Sequence, residues 1–356
     1  MEQISSDAML KYVYESRDAI RLIIHHALYV ACAEKLAERS FRRIYLVGSG
    51  TSYHACIGAA KLVQTVMGIE TTCSYPMEFV DNMDVIDSNA LLIGVSQAGR
   101  SASTIQALDK AKKHQLVTCA ITADMNAPIC DHVDLVVPLD IGEETVGPKT
   151  KGYIGSIAVL DLLAIEIAQR LGKINIETKS QLIQRLLKIT DSITEIADAT
   201  EMWFQNNQQL FKDAKRFIVI GYGPIMSSML EGSLKMLEAN RCSVTGYELE
   251  EFMHGIYHSI DSDTWIFGLG YPSRHYERMV RMMKYLEEEK EAQVFMIPSQ
   301  RPNGFHWDFV NDDMFSSMEY TVPLQVLARE ISLLHGIDCT KSADPDFHKK
   351  MQSYIY

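Results

Sequence analysis

The sequence predicts two doubly wound α/β domains with parallel sheets, in tandem. Short apolar runs recur between helical stretches, which requires crossover connections and a sheet with helices on both faces. Two of those runs, residues 44–47 and 91–95, end abruptly in loops of glycine and hydroxyl residues. The alternation then restarts at Arg216 in the order of the first half, the pattern of an internal duplication.

Residues 7–38 carry helical periodicity through Leu10, Val13, Ile20, Ile23 and Leu36 and read as one or two lead-in helices. Strands follow at 44–47, 73–75, 91–95, 117–122 and 135–139, with helices after Ser52, over 103–114 and over 155–171. Leu91, Leu92, Ile93 and Val95 are apolar without alternation, as in a parallel strand covered on both faces. Residues 176–212 are strand-free and read as a helical connector. The second half predicts strands at 217–220, 243–247, 265–269 and 294–297, with helices at 228–241, 250–256, 275–290 and 324–335. The domain borders expected are a lead-in at 1–40, domains at 41–172 and 215–336 around a connector at 173–214, and a tail at 337–356.

A chain of 356 residues with 47% hydrophobic and 22% charged residues is globular. Its formal charge of −12 argues against nucleic acid or an anionic membrane as partner. There is no apolar run of bilayer length and no basic-then-apolar leader at the N-terminus, so the expected location is cytoplasmic. Seven scattered cysteines without a C-x-x-C spacing fit reduced thiols better than a disulfide or zinc framework.

The loops carry the first chemical signal. Val47-Gly48-Ser49-Gly50-Thr51-Ser52 and Ser96-Gln97-Ala98-Gly99-Arg100-Ser101-Ala102-Ser103-Thr104 place hydroxyls and backbone amides at strand ends and helix N-termini, where the helix dipole favours an anion. An ordinary turn with Ser101 or Ser103 as N-cap is the competing reading of the second loop alone. Two such loops at one sheet edge favour a phosphate site. The corresponding loop of the second half, Gly268-Leu269-Gly270-Tyr271-Pro272-Ser273-Arg274, has lost the hydroxyls, so one phosphate site is expected.

The second signal is helical. Glu231, Lys235 and Glu238 fall on one face, within roughly 60°. Ion pairing accounts for the first two, while an apolar surround would make Glu238 a general acid or base. Downstream, Glu251 and His254 form an E-x-x-H and His258 lies four residues on. With no second E-x-x-H and no third histidine nearby, an acid–base role for His254 fits better than a metal site.

Gly50-Thr51-Ser52-Tyr53-His54, Ser96-Gln97-Ala98-Gly99, Glu231-Gly232-x-Leu234-Lys235-x-x-Glu238, Glu251-x-x-His254-Gly255 and Val322-Pro323-Leu324-Gln325-Val326-Leu327-Ala328 together resemble the double sugar-isomerase-domain (SIS) family. The likeness is to the isomerase half of glucosamine-6-phosphate synthase and its relatives. The resemblance implies flavodoxin-like SIS domains, a 6-phosphate held by Thr51, Ser52, Ser96, Gln97, Ser101 and Thr104, and proton transfer between C1 and C2 by Glu238. It further implies supporting roles for Lys235 and Glu231, ring opening by His254, and a homodimer or dimer of dimers with the site at the subunit interface. In the tail Lys349 is the nearest match to the synthase lysine that reaches the sugar, with Lys350 as its rival and a solvated pair as the alternative.

Departures from the pattern include Ala98 for serine, Arg100 for an acidic residue and Ile256 for proline. Residues 142–153 look more like the SIS deglycases than the synthase. Residue 2 is Glu2 and the first cysteine is Cys32, so ammonia from glutamine is not expected. The expected activity is cleavage of the C–N bond of a 6-phosphorylated amino sugar or sugar–amino acid conjugate, without a cofactor or metal. An aldose–ketose phosphosugar isomerase, a glucosamine-6-phosphate deaminase and a non-catalytic sugar-phosphate sensor are the alternatives.

Overall fold

The computed structural model describes residues 7–355; Met1 to Ser6, read above for a leader, and Tyr356 of the predicted tail lie outside them. Helices α1 (Asp7–His26) and α2 (Val30–Ala37) precede β1 (Arg43–Val47), α3 (Thr51–Met67), β2 (Glu70–Ser74), α4 (Pro76–Asp81) and β3 (Ala90–Val95). Next come α5 (Ala102–Lys113), β4 (Val117–Thr122), β5 (Leu135–Pro138), α6 (Lys151–Arg170) and α7 (Ile176–Asn207). The second series is β6 (Arg216–Gly221), α8 (Met226–Asn240), β7 (Ser243–Glu248), α9 (Leu249–Phe252), β8 (Trp265–Leu269), α10 (Tyr276–Glu288), β9 (Gln293–Ile297), α11 (Ser316–Leu334) and α12 (Phe347–Lys350).

The described chain divides into two compact units. The first comprises residues 18–144, 151–187 and 342–355 and holds a five-stranded parallel sheet of order β2-β1-β3-β4-β5. All six residues of β3 are buried, which is why its sequence lacks alternation. One core layer joins Val47 and Leu92 of the sheet to Ile105 and Leu108 of α5. Helix α6 is long and apolar enough to cross a membrane, but 94% of its most apolar stretch is buried within the fold, which makes it a core helix.

The second unit comprises residues 7–17, 145–150 and 188–341 and holds a four-stranded parallel sheet of order β7-β6-β8-β9. Its core is aromatic: Phe211 lies parallel to Phe267 at 6.0 Å, and Phe295 is 5.0 Å from Phe211. The two sheets share the order 2-1-3-4, so the repeat read from the element order is also a repeat of topology.

Three expected helices differ from those observed. The helix expected from 155 begins at Lys151, because the Glu144 carboxylate accepts the amides of Lys151 at 3.0 Å and Gly152 at 2.9 Å and so supplies a cap from outside the helix. The last large helix begins at Ser316 and carries Pro323 inside it, where the sequence reading starts at Leu324. Its first turn is anchored by Glu319, which accepts the amides of Val310 and Asn311 and the Ser316 hydroxyl. The helix expected at 250–256 is the single turn α9, closed after Phe252.

Candidate active site

In the first unit the two hydroxyl loops leave neighbouring strands. Val47 of β1 pairs with Gly94 of β3, and the sheet order reverses between them, the place where open α/β sheets hold ligands. The hydroxyls of Ser52 and Ser96 make no hydrogen bond among the described residues, nor do the backbone amides of Gln97 and Ala98. Ser96 is buried and Ser52 half-buried. Gly99 turns the loop at φ +65°, and a Cβ there would meet Ala127 at 2.4 Å.

Ser101 and Thr104 are differently engaged. Ser101 is the N-cap of α5, its Oγ accepting from the Thr104 amide at 3.5 Å and the Thr104 hydroxyl at 3.1 Å. The cap reading therefore describes these two hydroxyls, while those of Ser52 and Ser96 stay open. Thr51 opens α3 beside Ser52. Arg100 lies 3.8 Å from Asp124. The Gln97 side chain turns to Glu144, its Nε2 donating to Oε2 at 2.8 Å.

The tail reaches the same loop. Ala102 N–H donates to Ser353 O at 3.0 Å, Ile355 N–H donates to Arg100 O at 2.9 Å, and Ser101 bridges Tyr354 in antiparallel register. His348 stacks on Tyr354 at 4.1 Å. Lys349 and Lys350 sit in α12 and are both exposed.

In the second unit α8 presents the predicted charged row. Lys235 is 1% exposed and Glu231 is fully buried; Lys235 Nζ lies 3.5 Å from Glu231 Oε1 and donates to Glu238 Oε2 at 2.5 Å. Burial of both charges needs this pairing, because an unpaired charge in the interior is strongly unfavourable. The apolar surround expected for Glu238 is not what the structure has: its side chain is 35% exposed and ion-paired. Lys235 thus orients a carboxylate that solvent can reach.

His254 lies in the turn after α9, exposed and without a side-chain partner among the described residues. Since α9 ends at Phe252, His254 and His258 share no helix face, and their i, i+4 spacing brings no common ligand position. Among the described residues no three His, Cys, Asp or Glu side chains gather as a metal set. The second unit also holds a cavity of about 450 Å³ between Phe252, Met253, Tyr257, Arg278, Met282 and Tyr285, lined by none of the predicted site residues.

The carboxyl edge of the second sheet is filled by its own side chains. Tyr222 follows β6, is 1% exposed, and donates to Tyr271 O at 2.5 Å. Tyr320, fully buried, donates to Asn311 Oδ1 at 2.8 Å and stacks on Phe309 at 4.3 Å.

Residues 39–166 match the family model described as the SIS domain. The chain carries a SIS domain over that segment. It is homologous to the isomerase portion of glutamine–fructose-6-phosphate aminotransferase (isomerizing), with 28% identity over 346 residues to that of Thermococcus kodakarensis. The match covers 94% of this chain and 56% of that relative, so the chain spans about half the length of the curated protein. A presumed phosphosugar isomerase from Clostridium difficile 630 superposes with a TM-score of 0.90 at 29% identity, covering 97% of this chain and 98% of that one. A glucosamine-6-phosphate deaminase of Thermotoga maritima shares the fold at TM-score 0.74 and 20% identity, over 94% of this chain and 97% of that one. The tandem SIS architecture expected from the sequence is the one observed.

Sequence reasoning missed Glu144, Lys151 and Gly152. Glu144 is 8% and Lys151 3% exposed, and the Lys151 ammonium donates to Glu143 O at 2.9 Å. A Cβ on Gly152 would lie 2.0 Å from Gln97 Oε1, so a larger residue there would push the loop side chain from its place. The segment 142–153 stood out by resemblance, but a carboxylate seven residues before a helix matches no local capping signature.

Proposed function

We propose that this SIS protein breaks the C–N bond of a 6-phosphorylated amino sugar or sugar–amino acid conjugate, releasing the amine and a hexose 6-phosphate. The observation that carries the reading is the Glu231–Lys235–Glu238 row, in which a buried ammonium holds one accessible carboxylate in place. A module that only sensed sugar phosphate would need the phosphate loops and not this array. The homology to the isomerase portion of an aminotransferase supports chemistry at a sugar carbon next to nitrogen.

The loop hydroxyls of Ser52 and Ser96, with the free amides of Gln97 and Ala98, are assigned to the phosphate, whose binding orients the rest of the substrate. Thr51, Ser101 and Thr104 complete that set. His254 is assigned to ring opening. Glu238 removes a proton from C1 of the open-chain ketoamine to give an enaminol and returns it to C2, leaving an imine between C1 and nitrogen. Water adds to C1 and the amine departs, leaving the aldose 6-phosphate. The sugar carbonyl accepts the electron pair in the first step, so the chemistry needs no cofactor. Because His254 has no side-chain partner among the described residues, we assign it to the site of a second copy in a homodimer.

The test is mass spectrometry of the protein incubated separately with a lysine conjugate of glucose 6-phosphate, glucosamine 6-phosphate and fructose 6-phosphate. Release of lysine and hexose 6-phosphate is expected, slowed about 10²–10⁴-fold in Glu238→Gln. Turnover of the simple sugars alone would replace this reading with a deaminase or an isomerase. Binding without turnover would make the chain a sensor, and a Glu238→Gln rate within about threefold of wild type would remove the proton-transfer assignment.

A further inference from the structure

We infer that Glu144 is a positioning residue for phosphate binding, acting through Gln97 and not on the ligand. The inference rests on the phosphosugar reading above. Glu144 sits at the N-terminus of α6, an end that ordinarily attracts an anion because its first amides are unpaired and the helix dipole is positive there. Here the protein supplies that anion itself. One carboxylate accepts from Lys151 N–H at 3.0 Å, Gly152 N–H at 2.9 Å and Gln97 Nε2 at 2.8 Å. The first two fix the carboxylate to a helix that runs through the core, and the third fixes Gln97 to the carboxylate.

Gln97 is clamped from the other side as well. Its backbone carbonyl accepts Ala123 N–H at 2.9 Å and the Thr122 hydroxyl at 3.1 Å, and its Oε1 packs on Gly152. Both ends of the residue are thus held, while its own amide and that of Ala98 are left as open donors between Ser96 and the start of α5. The direction in which those two amides point is set by the peptide planes that Gln97 joins. Releasing the side chain from Glu144 removes one of the two anchors that hold this residue in place. The Gln97 side chain accordingly serves as a strut from loop to helix, and the phosphate is met by hydroxyls and backbone amides.

The experiment measures calorimetric binding of fructose 6-phosphate and of inorganic phosphate to the full chain, with kcat and KM for the substrate identified above. Glu144→Ala is expected to weaken both ligands about tenfold or more and to raise KM by a like factor, leaving kcat within about threefold. Glu144→Gln keeps an acceptor for the α6 amides and, with the Gln97 amide flipped, a bond to the loop; it should recover most of the affinity and shows that a folded variant was tested. Gln97→Ala should weaken binding to the same degree, and adding Glu144→Ala to it should change little further, since residues that act through one contact are not additive. Wild-type affinity in Glu144→Ala, or losses that add in the double variant, would overturn the positioning role. Absence of any binding by the wild type would remove the phosphosugar reading and this inference together.

Discussion

At the scale of single residues, Asp161 is the group whose burial is least compensated. It lies in the middle of α6, fully buried, and neither carboxylate oxygen has a hydrogen-bond partner among the described residues. Desolvation pushes its carboxyl well above the usual carboxylate range. The folded state therefore binds this proton more tightly than the unfolded chain does. The associated stabilisation is fully present below the unfolded value of about 3.9 and declines as pH rises toward the folded one. Asp161→Asn cannot ionise, so its urea midpoint relative to wild type should rise between pH 5 and pH 8. Parallel pH profiles for the two proteins would show that the carboxyl is solvated or paired after all.

At the scale of elements, the charged row is placed by a helix pair. Helix α8 meets α11 at Gly232, where a Cβ would lie 2.0 Å from Leu324 Cδ1. Gly232 stands between Glu231 and Lys235 in sequence, so the close approach is built into the stretch that carries the chemistry. Gly232→Ala should cost about 1–3 kcal/mol through overpacking, read as a lowered melting temperature. An unchanged melting temperature would mean that α11 yields there. Strands β3 and β8 were legible because they are buried throughout and so read as apolar runs, whereas the polar, half-exposed β2 was read only over 73–75. The glycine and hydroxyl loops were legible because a strand end followed by a helix start leaves little else for such residues to do. The start of α6 was not legible, because its cap comes from Glu144 in the tertiary structure, and the start of α11 was hidden by Pro323, which sequence reading takes as a beginning. The predicted charged row on α8 emerged intact, whereas its buried ammonium depends on packing that no spacing rule reports.

At the scale of the whole molecule, the homodimer proposed above predicts a mass near twice 40.2 kDa by light scattering. It also predicts complementation. Glu238→Gln and His254→Ala should each lose most of the activity, but equal mixtures that exchange subunits should regain about a quarter of wild-type turnover, since half the dimers then hold one intact site. A monomeric mass, or mixtures that stay inactive after exchange, would return His254 to its own chain.

Both sheets have the same strand order, yet only one presents open hydroxyls at its switch point; at the other, Tyr222, Tyr271 and Tyr320 occupy the edge. Each phenol brings an apolar ring to fill space and one hydroxyl for a polar group that a ligand would otherwise satisfy. The carboxyl edge of the second sheet is thereby held in shape by its own interior. Its loops can therefore vary in sequence while the sheet and α8 keep their places.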